Sequence, residues 1–154
     1  MNRLFPALIA AFAMLFVYSC KSEEYEEWRM VNENWYNQAR ISFADSIDYK
    51  MTSSGLIYKI LEPGYQRRPN DNDWVYVTYK RTLINGTTFR EDSVWLRQQL
   101  DVVAGWREAM KLIEDGGHIQ FILPYQIGYG NTDYGLVPPY STLIYDVKLY
   151  RSVN

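Results

Sequence analysis

The stretch that most constrains the fold is residues 101–117, DVVAGWREAMKLIEDGG, a single short helical pattern among segments that alternate like strands. Trp106, Met110 and Ile113 recur at helical spacing, so one face of this segment is apolar. The pair Gly116-Gly117 supplies the left-handed stop that commonly ends a helix. A lone helix with a large aromatic residue near its start predicts a curved sheet wrapped over that helix, with a pocket lined by Trp106.

The segments around this helix have a period of two, as strands with one buried face do. They are residues 55–61, 74–84, 118–123 and 143–150. Asn85-Gly86 is a strong hairpin signal, and it leads into a further strand that begins at Thr87. The sequence therefore predicts an α+β domain: a curved antiparallel sheet over one short helix, with a long Tyr- and Gly-rich loop at residues 124–139.

The first 20 residues have the layout of a secretory signal. Arg3 precedes an uncharged apolar run, residues 4–18, which is short for a membrane span. The run ends in VYSC, residues 17–20, which resembles the lipobox of bacterial lipoproteins. We therefore expect a signal peptide at residues 1–19 and lipidation at Cys20. This predicts a cell-envelope lipoprotein, held to the outer membrane on its periplasmic face or at the cell surface; the alternative is an uncleaved anchor.

Residues 20–54 are expected to join this anchor to a folded domain at residues 55–154. They begin with an acidic tether similar to the export tag of some Bacteroidetes surface lipoproteins. Residues 25–40 lack Gly and Pro and place Trp28, Val31, Trp35 and Ala39 near helical spacing, which predicts an amphipathic helix. This helix packs on the domain, acts as a spacer or pairs with a second copy, and packing on the domain is the favoured interpretation.

The sequence lacks the residue sets of most enzyme classes. A formal net charge of −2 and the lack of a Lys/Arg cluster argue against a nucleic-acid partner. The one histidine, His118, falls on the predicted outer face of a strand, and the one cysteine is Cys20, so a catalytic triad and a zinc site are both unsupported. Gly128-Tyr129-Gly130 is too short for a phosphate-binding loop and lacks its lysine. We expect no metal, no cofactor and no nucleophile.

Three blocks of sequence, spanning roughly Gly55 to Arg151, resemble the FKBP-type peptidyl-prolyl isomerases. They are VTYKRTLINGTTF (77–89), DVVAGWREAM (101–110) and YGNTDYGLVPPYSTLIYDVKLY (129–150). Gly105-Trp106 ahead of the helix and Pro138-Pro139 in the third block form a specific combination in that order. The resemblance implies an FKBP-like fold and a peptidyl-prolyl cis-trans isomerase whose partners are proline-containing polypeptides.

The resemblance also assigns a proline pocket. Its catalytic aromatic set is Tyr79, Phe89, Trp106, Tyr129 and Tyr145, with the ring of Trp106 as the floor and the Tyr129 hydroxyl as a donor to the peptide. Its substrate-binding set is Val102, Val103, Leu136, Val137 and Arg90, with the Val103 N–H donating to a substrate carbonyl. Trp95 is a further aromatic candidate.

Three positions depart from the family pattern. Arg90 stands where the family usually has Asp, Tyr145 stands where it has Phe, and Lys80-Arg81 replaces a pair that ends in Gly. Two functions therefore stay open. One is a lipid-anchored isomerase that assists the folding of exported proteins, and the other is a non-catalytic FKBP-like binding or chaperone module. A third interpretation is a surface lipoprotein whose outer aromatic residues bind glycans or host proteins.

Overall fold

The structure is a computed structural model that describes residues 5–154, except the side chains of residues 5–22, 24, 90 and 92. Within this range a long helix, α1 (Phe5–Ala44), precedes an antiparallel sheet and a short helix, α2 (Ala104–Met110). The strands are β1 (Lys50–Met51), β2 (Ile57–Glu62), β3 (Trp74–Leu83), β4 (Thr88–Arg97), β5 (His118–Leu123) and β6 (Leu143–Val153), in the spatial order β1-β2-β5-β6-β3-β4. The predicted α+β class is confirmed.

Strand β3 lies next to the edge of the sheet, and it pairs with the edge strand β4 on one side and with β6 on the other. Val75 and Val77 of β3 and Leu149 of β6 are fully buried, because alternate residues of these strands face the core. The hairpin between β3 and β4 turns at Gly86, whose φ of +88° is one that glycine adopts without strain. The alternation of buried residues and the turn at Gly86 therefore agree with the observed pairing of β3 with its neighbours.

Helix α2 is shorter than its sequence pattern predicts, and its predicted end is wrong. It ends at Met110, six residues before Gly116. Gly116 has a φ of +86° and donates its N–H to the Leu149 carbonyl at 2.9 Å, while the N–H of Gly117 donates to the Glu114 carbonyl at 2.8 Å. The glycine pair therefore shapes the turn that joins α2 to β5, where the chain contacts β6.

Gly105, the second residue of α2, allows this helix to lie close to the end of β5. A Cβ atom placed on Gly105 would lie 2.5 Å from Leu123 Cδ2 and 3.0 Å from Ile127 Cδ1. Leu123 is fully buried, so its side chain has little room to move. Gly105 thus brings the neighbouring Trp106 against the sheet.

We expect Gly105→Ala to lower the free energy of unfolding by about 1–3 kcal/mol, because the added methyl group overpacks this contact. At an exposed helical position the same change stabilises a protein by up to about 1 kcal/mol, so the sign of the effect is informative. Urea unfolding followed by far-ultraviolet circular dichroism measures it. A gain in stability would show that Leu123 and Ile127 move aside without cost.

Helix α1 is longer than predicted, since it includes the predicted tether and the backbone of Cys20. Residues 7–44 contain neither Gly nor Pro, and Pro6 lies in the first turn, where its missing N–H is tolerated. The lipidation prediction concerns the Cys20 side chain, which is outside the described residues, as are the first four residues of the predicted signal peptide. Among residues 5–154, no helix combines the length and apolarity that a membrane crossing requires.

Helix α1 packs back on the domain, and three of the four residues that define its predicted apolar face are half-buried. Asn32 is fully buried and accepts a hydrogen bond from the Thr142 backbone N–H at 2.7 Å. Trp28 Nε1 donates to Ser141 Oγ at 3.0 Å, one turn earlier on the same face. Val31, predicted to face the domain, is 48% exposed. Polar contacts with the chain just before β6 therefore set the rotation of α1.

On the outer face of the sheet, His118, Gln120 and Asp146 form a hydrogen-bonded cluster. His118 Nε2 lies 2.7 Å from Asp146 Oδ1, and Gln120 Nε2 donates to Asp146 Oδ2 at 2.7 Å. Burial alone would raise the pKa of Asp146, but hydrogen bonds from Gln120 and His118 outweigh burial and hold this pKa below its ordinary value of 3.8. The one histidine of the chain therefore has a structural partner here.

We expect Asp146→Asn to lower the free energy of unfolding at pH 7 by about 1 kcal/mol, a small loss because solvent screens a carboxylate that is 37% exposed. A carboxyl group with a lowered folded-state pKa stabilises the fold above its ordinary pKa, and this contribution is lost as the pH falls through the folded-state value. The difference between wild type and variant in urea unfolding should therefore shrink below about pH 4. A difference that stays constant into acid would contradict this account.

Candidate active site

A small cavity lies between α2, the sheet and the loop that follows β5, and its volume is about 40 Å³. We call it the aromatic cavity. Its lining consists of Tyr79, Arg81, Leu96, Asp101, Val102, Val103, Trp106, Tyr129 and Tyr145. The fold therefore brings together four of the five aromatic residues assigned to the proline pocket and both valines at its rim.

Trp106 forms the base of the aromatic cavity. Its side chain is 2% exposed, and its ring meets Tyr79 and Tyr145 edge-on, with ring centroids 5.2 Å and 5.1 Å apart. Such T-shaped contacts stabilise aromatic clusters and fix the orientation of the rings. Val103 is the N-cap of α2, directly ahead of the first turn. The N–H groups at the start of a helix have no acceptor within it, so they can donate to a ligand carbonyl.

Several predicted site residues lie outside the lining of this cavity. Phe89 packs against the core beside it. Val137 is 1% exposed and belongs to the core, whereas Leu136 is 73% exposed. The side chain of Arg90 is outside the described residues, and its backbone pairs with Lys80.

Trp95, the further aromatic candidate, does not face the aromatic cavity. Its ring stacks on Tyr76 with centroids 5.1 Å apart, and Trp95 pairs with Tyr76 in the sheet register. Tyr76 alternates with the buried Val75 and Val77, so both rings lie on the outer face of the sheet.

Arg81 is a site residue that the sequence analysis did not place in the pocket. Its Nη1 donates to the Tyr129 hydroxyl at 3.1 Å, and its guanidinium carbon lies 4.7 Å from the centre of the Phe89 ring. Tyr79 and Arg81 are two residues apart on β3, so both face the cavity. The sequence already contained this information. Residues two apart on a strand share a face, so an arginine at position 81 points to the same side as Tyr79.

Burial in the cavity favours the neutral form of two of its tyrosines, Tyr79 and Tyr145. Burial raises the pKa of Tyr145, while the nearby Arg81 guanidinium partly opposes the rise. Burial also raises the pKa of Tyr79. Asp101 remains ionised, because hydrogen bonds from the backbone and side chain of Arg97 lower its pKa. At neutral pH the lining therefore carries one cation, one anion already paired with Arg97, and the neutral hydroxyl groups of Tyr79 and Tyr145.

This arrangement can bind an apolar ring and donate hydrogen bonds, but it does not supply covalent chemistry. Among the described lining residues there is no serine, cysteine, histidine or lysine to act as a nucleophile. The described residues include no group of three or more His, Cys, Asp or Glu side chains that could bind a metal ion. The fold and the cavity thus define a class of protein, in which a sheet and a short helix enclose an aromatic site for a non-covalent step.

Comparison with known proteins identifies the family within that class. Residues 65–150 match the FKBP-type peptidyl-prolyl cis-trans isomerases. FkpA, the FKBP-type peptidyl-prolyl cis-trans isomerase of Escherichia coli K12, is 39% identical over 124 residues, which are 77% of this chain and 45% of that protein. FkpA of Buchnera aphidicola from Acyrthosiphon pisum is 40% identical over 110 residues, which are 68% of this chain and 45% of that protein.

The fold agrees with this match. The crystal structure of FkpA from Escherichia coli has a TM-score of 0.87 with this chain at 32% identity, covering 99% of this chain and 73% of that one. This chain belongs to the FKBP-type peptidyl-prolyl cis-trans isomerase family. It spans a little under half the length of the two relatives.

Proposed function

We propose that this chain is a peptidyl-prolyl cis-trans isomerase that assists the folding of exported proteins. The observation that carries the proposal is the set of rings around Trp106, whose centroids lie 5.2 Å from Tyr79 and 5.1 Å from Tyr145. Its substrates are proline-containing polypeptides, and the ring of the proline rests against Trp106.

The catalysed step is a rotation about the X–Pro bond. This rotation gives up amide resonance, which costs about 18–20 kcal/mol, so the uncatalysed exchange takes tens to hundreds of seconds. The twisted transition state has a weaker carbonyl dipole and a more pyramidal nitrogen than the planar forms. A dry aromatic wall disfavours the more polar planar state, while the Tyr129 hydroxyl and the Val103 N–H hold the twisted peptide.

The experiment that tests this proposal is cis/trans exchange on a Leu-Pro peptide, with a macrolide FKBP inhibitor added in parallel. Rapid exchange that the inhibitor blocks supports the isomerase. Inhibitor binding without exchange supports the alternative, a non-catalytic FKBP-like binding or chaperone module. If neither exchange nor inhibitor binding is observed, the pocket does not take part in the function of this chain.

One observation favours the non-catalytic alternative. The aromatic cavity has a volume of only about 40 Å³, well below that of an ordinary ligand pocket, with Arg81 among its lining residues. A proline ring therefore enters only if part of the lining moves. Restoring the residue usual in the family, by Arg90→Asp, discriminates further: a large gain in exchange would mean that the natural chain has moved away from catalysis.

We further propose that Cys20 carries a lipid that holds the protein to the outer membrane, on its periplasmic face or at the cell surface. The support is the apolar run at residues 4–18 followed by VYSC. In cells supplied with labelled palmitate, the wild type should incorporate label and Cys20→Ser should not. Equal labelling of the two proteins would refute lipidation at Cys20.

A further inference from the structure

The aromatic cavity contains a cation in an unusual setting. The guanidinium carbon of Arg81 lies 4.7 Å from the ring centre of Phe89 and 5.8 Å from that of Tyr129. Its Nη1 donates to the Tyr129 hydroxyl at 3.1 Å. Aromatic faces and the hydroxyl groups of Tyr129 and Tyr145 hold this cation in place, yet none of these groups carries a full negative charge.

The described residues leave Arg81 without a counter-ion. No described carboxylate forms an ion pair with it, and Asp101, the acidic residue of the lining, is bound to Arg97 by contacts of 2.7 Å and 3.2 Å. Two buried donors of the lining, Arg81 Nε and Trp106 Nε1, have no acceptor among the described residues. Because buried donors without acceptors are costly, the cavity is suited to a ligand rich in acceptors.

We propose that Arg81 makes this site selective for prolyl peptides with a carboxylate side chain on the residue next to the proline. The inference rests on the proposed isomerase function and names its substrate class. An arginine pairs with a carboxylate through two parallel hydrogen bonds, and the pairing is strong where water is sparse.

Steric considerations point to the same selectivity. With about 40 Å³ free, a proline ring reaches Trp106 only if part of the lining moves, and Arg81 has the longest flexible side chain in that lining. A neutral peptide makes Arg81 give up its bond to Tyr129 and its contact with Phe89 without replacement. An acidic peptide replaces them with an ion pair. The carboxylate therefore both opens the cavity and binds beside it.

The test is cis/trans exchange by the full chain on blocked peptides that form isosteric pairs: Glu-Pro against Gln-Pro, and Pro-Glu against Pro-Gln. We expect kcat/KM to favour Glu over Gln by about tenfold in one pair, which shows whether the carboxylate precedes or follows the proline. This preference should vanish in Arg81→Gln and decline with added salt. Lys80→Gln is the matched control, because it removes an equal charge from the adjacent, exposed position on the outer face and should keep the preference.

Peptide binding, followed by tryptophan fluorescence, separates failure of this inference from failure of the isomerase assignment. Exchange of Leu-Pro with equal rates for Glu and Gln in both pairs would overturn the selectivity and keep the isomerase. No exchange, but Glu peptides that bind about tenfold tighter than Gln peptides in an Arg81-dependent way, would keep the selectivity and overturn the isomerase. Neither exchange nor charge-dependent binding would overturn both.

Discussion

Replacing Trp106 by alanine should lower kcat/KM for Leu-Pro exchange by about 100-fold, equivalent to about 2.7 kcal/mol of transition-state binding. The ring of Trp106 is the base of the aromatic cavity and orients Tyr79 and Tyr145 by edge-on contacts. Its removal takes away the apolar surface for the proline ring and lets water into the site. The measurement is the exchange rate at a series of enzyme concentrations, with each variant checked for folding.

The large size of Trp106 requires two controls. A buried tryptophan replaced by alanine costs about 3–5 kcal/mol of stability, so Trp106→Leu, which leaves a smaller void, is measured beside it. Trp95→Ala removes a tryptophan that is 42% exposed and stacks on Tyr76 on the outer face, and it should leave exchange unchanged. If Trp106→Leu is folded and exchanges at the wild-type rate, Trp106 is not the surface on which proline turns.

Local patterns in the sequence were enough to predict the sheet and the position of α2. Alternation along β3 and β6 places Val77 and Leu149 in the core, and Asn85-Gly86 marks the hairpin. These features depend on neighbours within a few residues, which a sequence displays directly. The similarity of three sequence blocks to one family then assigned Tyr79, Trp106, Tyr129 and Tyr145, residues that the fold gathers around the aromatic cavity.

The features that were not predicted depend on distant partners. The end of α2 was wrong because Gly116 bonds to Leu149, on a strand far along the chain. The buried position of Asn32 on α1 was not predicted, because Asn32 binds the backbone of Thr142, 110 residues away, whereas periodicity counts only apolar residues. Arg81 was missed because a charge is normally assigned to the solvent side, and its partner Tyr129 is 48 residues distant.

Replacing Arg81 by glycine, the residue usual in the family, should raise kcat/KM for neutral Leu-Pro peptides by about tenfold. The variant removes the side chain that shares the cavity with Trp106 and frees the Tyr129 hydroxyl from its bond at 3.1 Å. Neutral peptides then no longer displace a cation from its contacts with Phe89 and Tyr129, and that cost is about 1–2 kcal/mol. The exchange rate on Leu-Pro measures the gain, and the preference for acidic peptides should disappear with it.

Glycine in a strand also destabilises the fold, by about 0.5–1 kcal/mol, so the gain needs a control for backbone flexibility. Lys80→Gly places the same change on the adjacent residue of β3, which is exposed on the outer face opposite Asp146. It should cost similar stability and leave exchange unchanged, since Lys80 does not line the cavity among the described residues. If Arg81→Gly and Lys80→Gly behave alike, flexibility explains the result. If Arg81→Gly loses exchange instead, Arg81 holds Tyr129 in its working position, and the cation belongs to the catalytic arrangement.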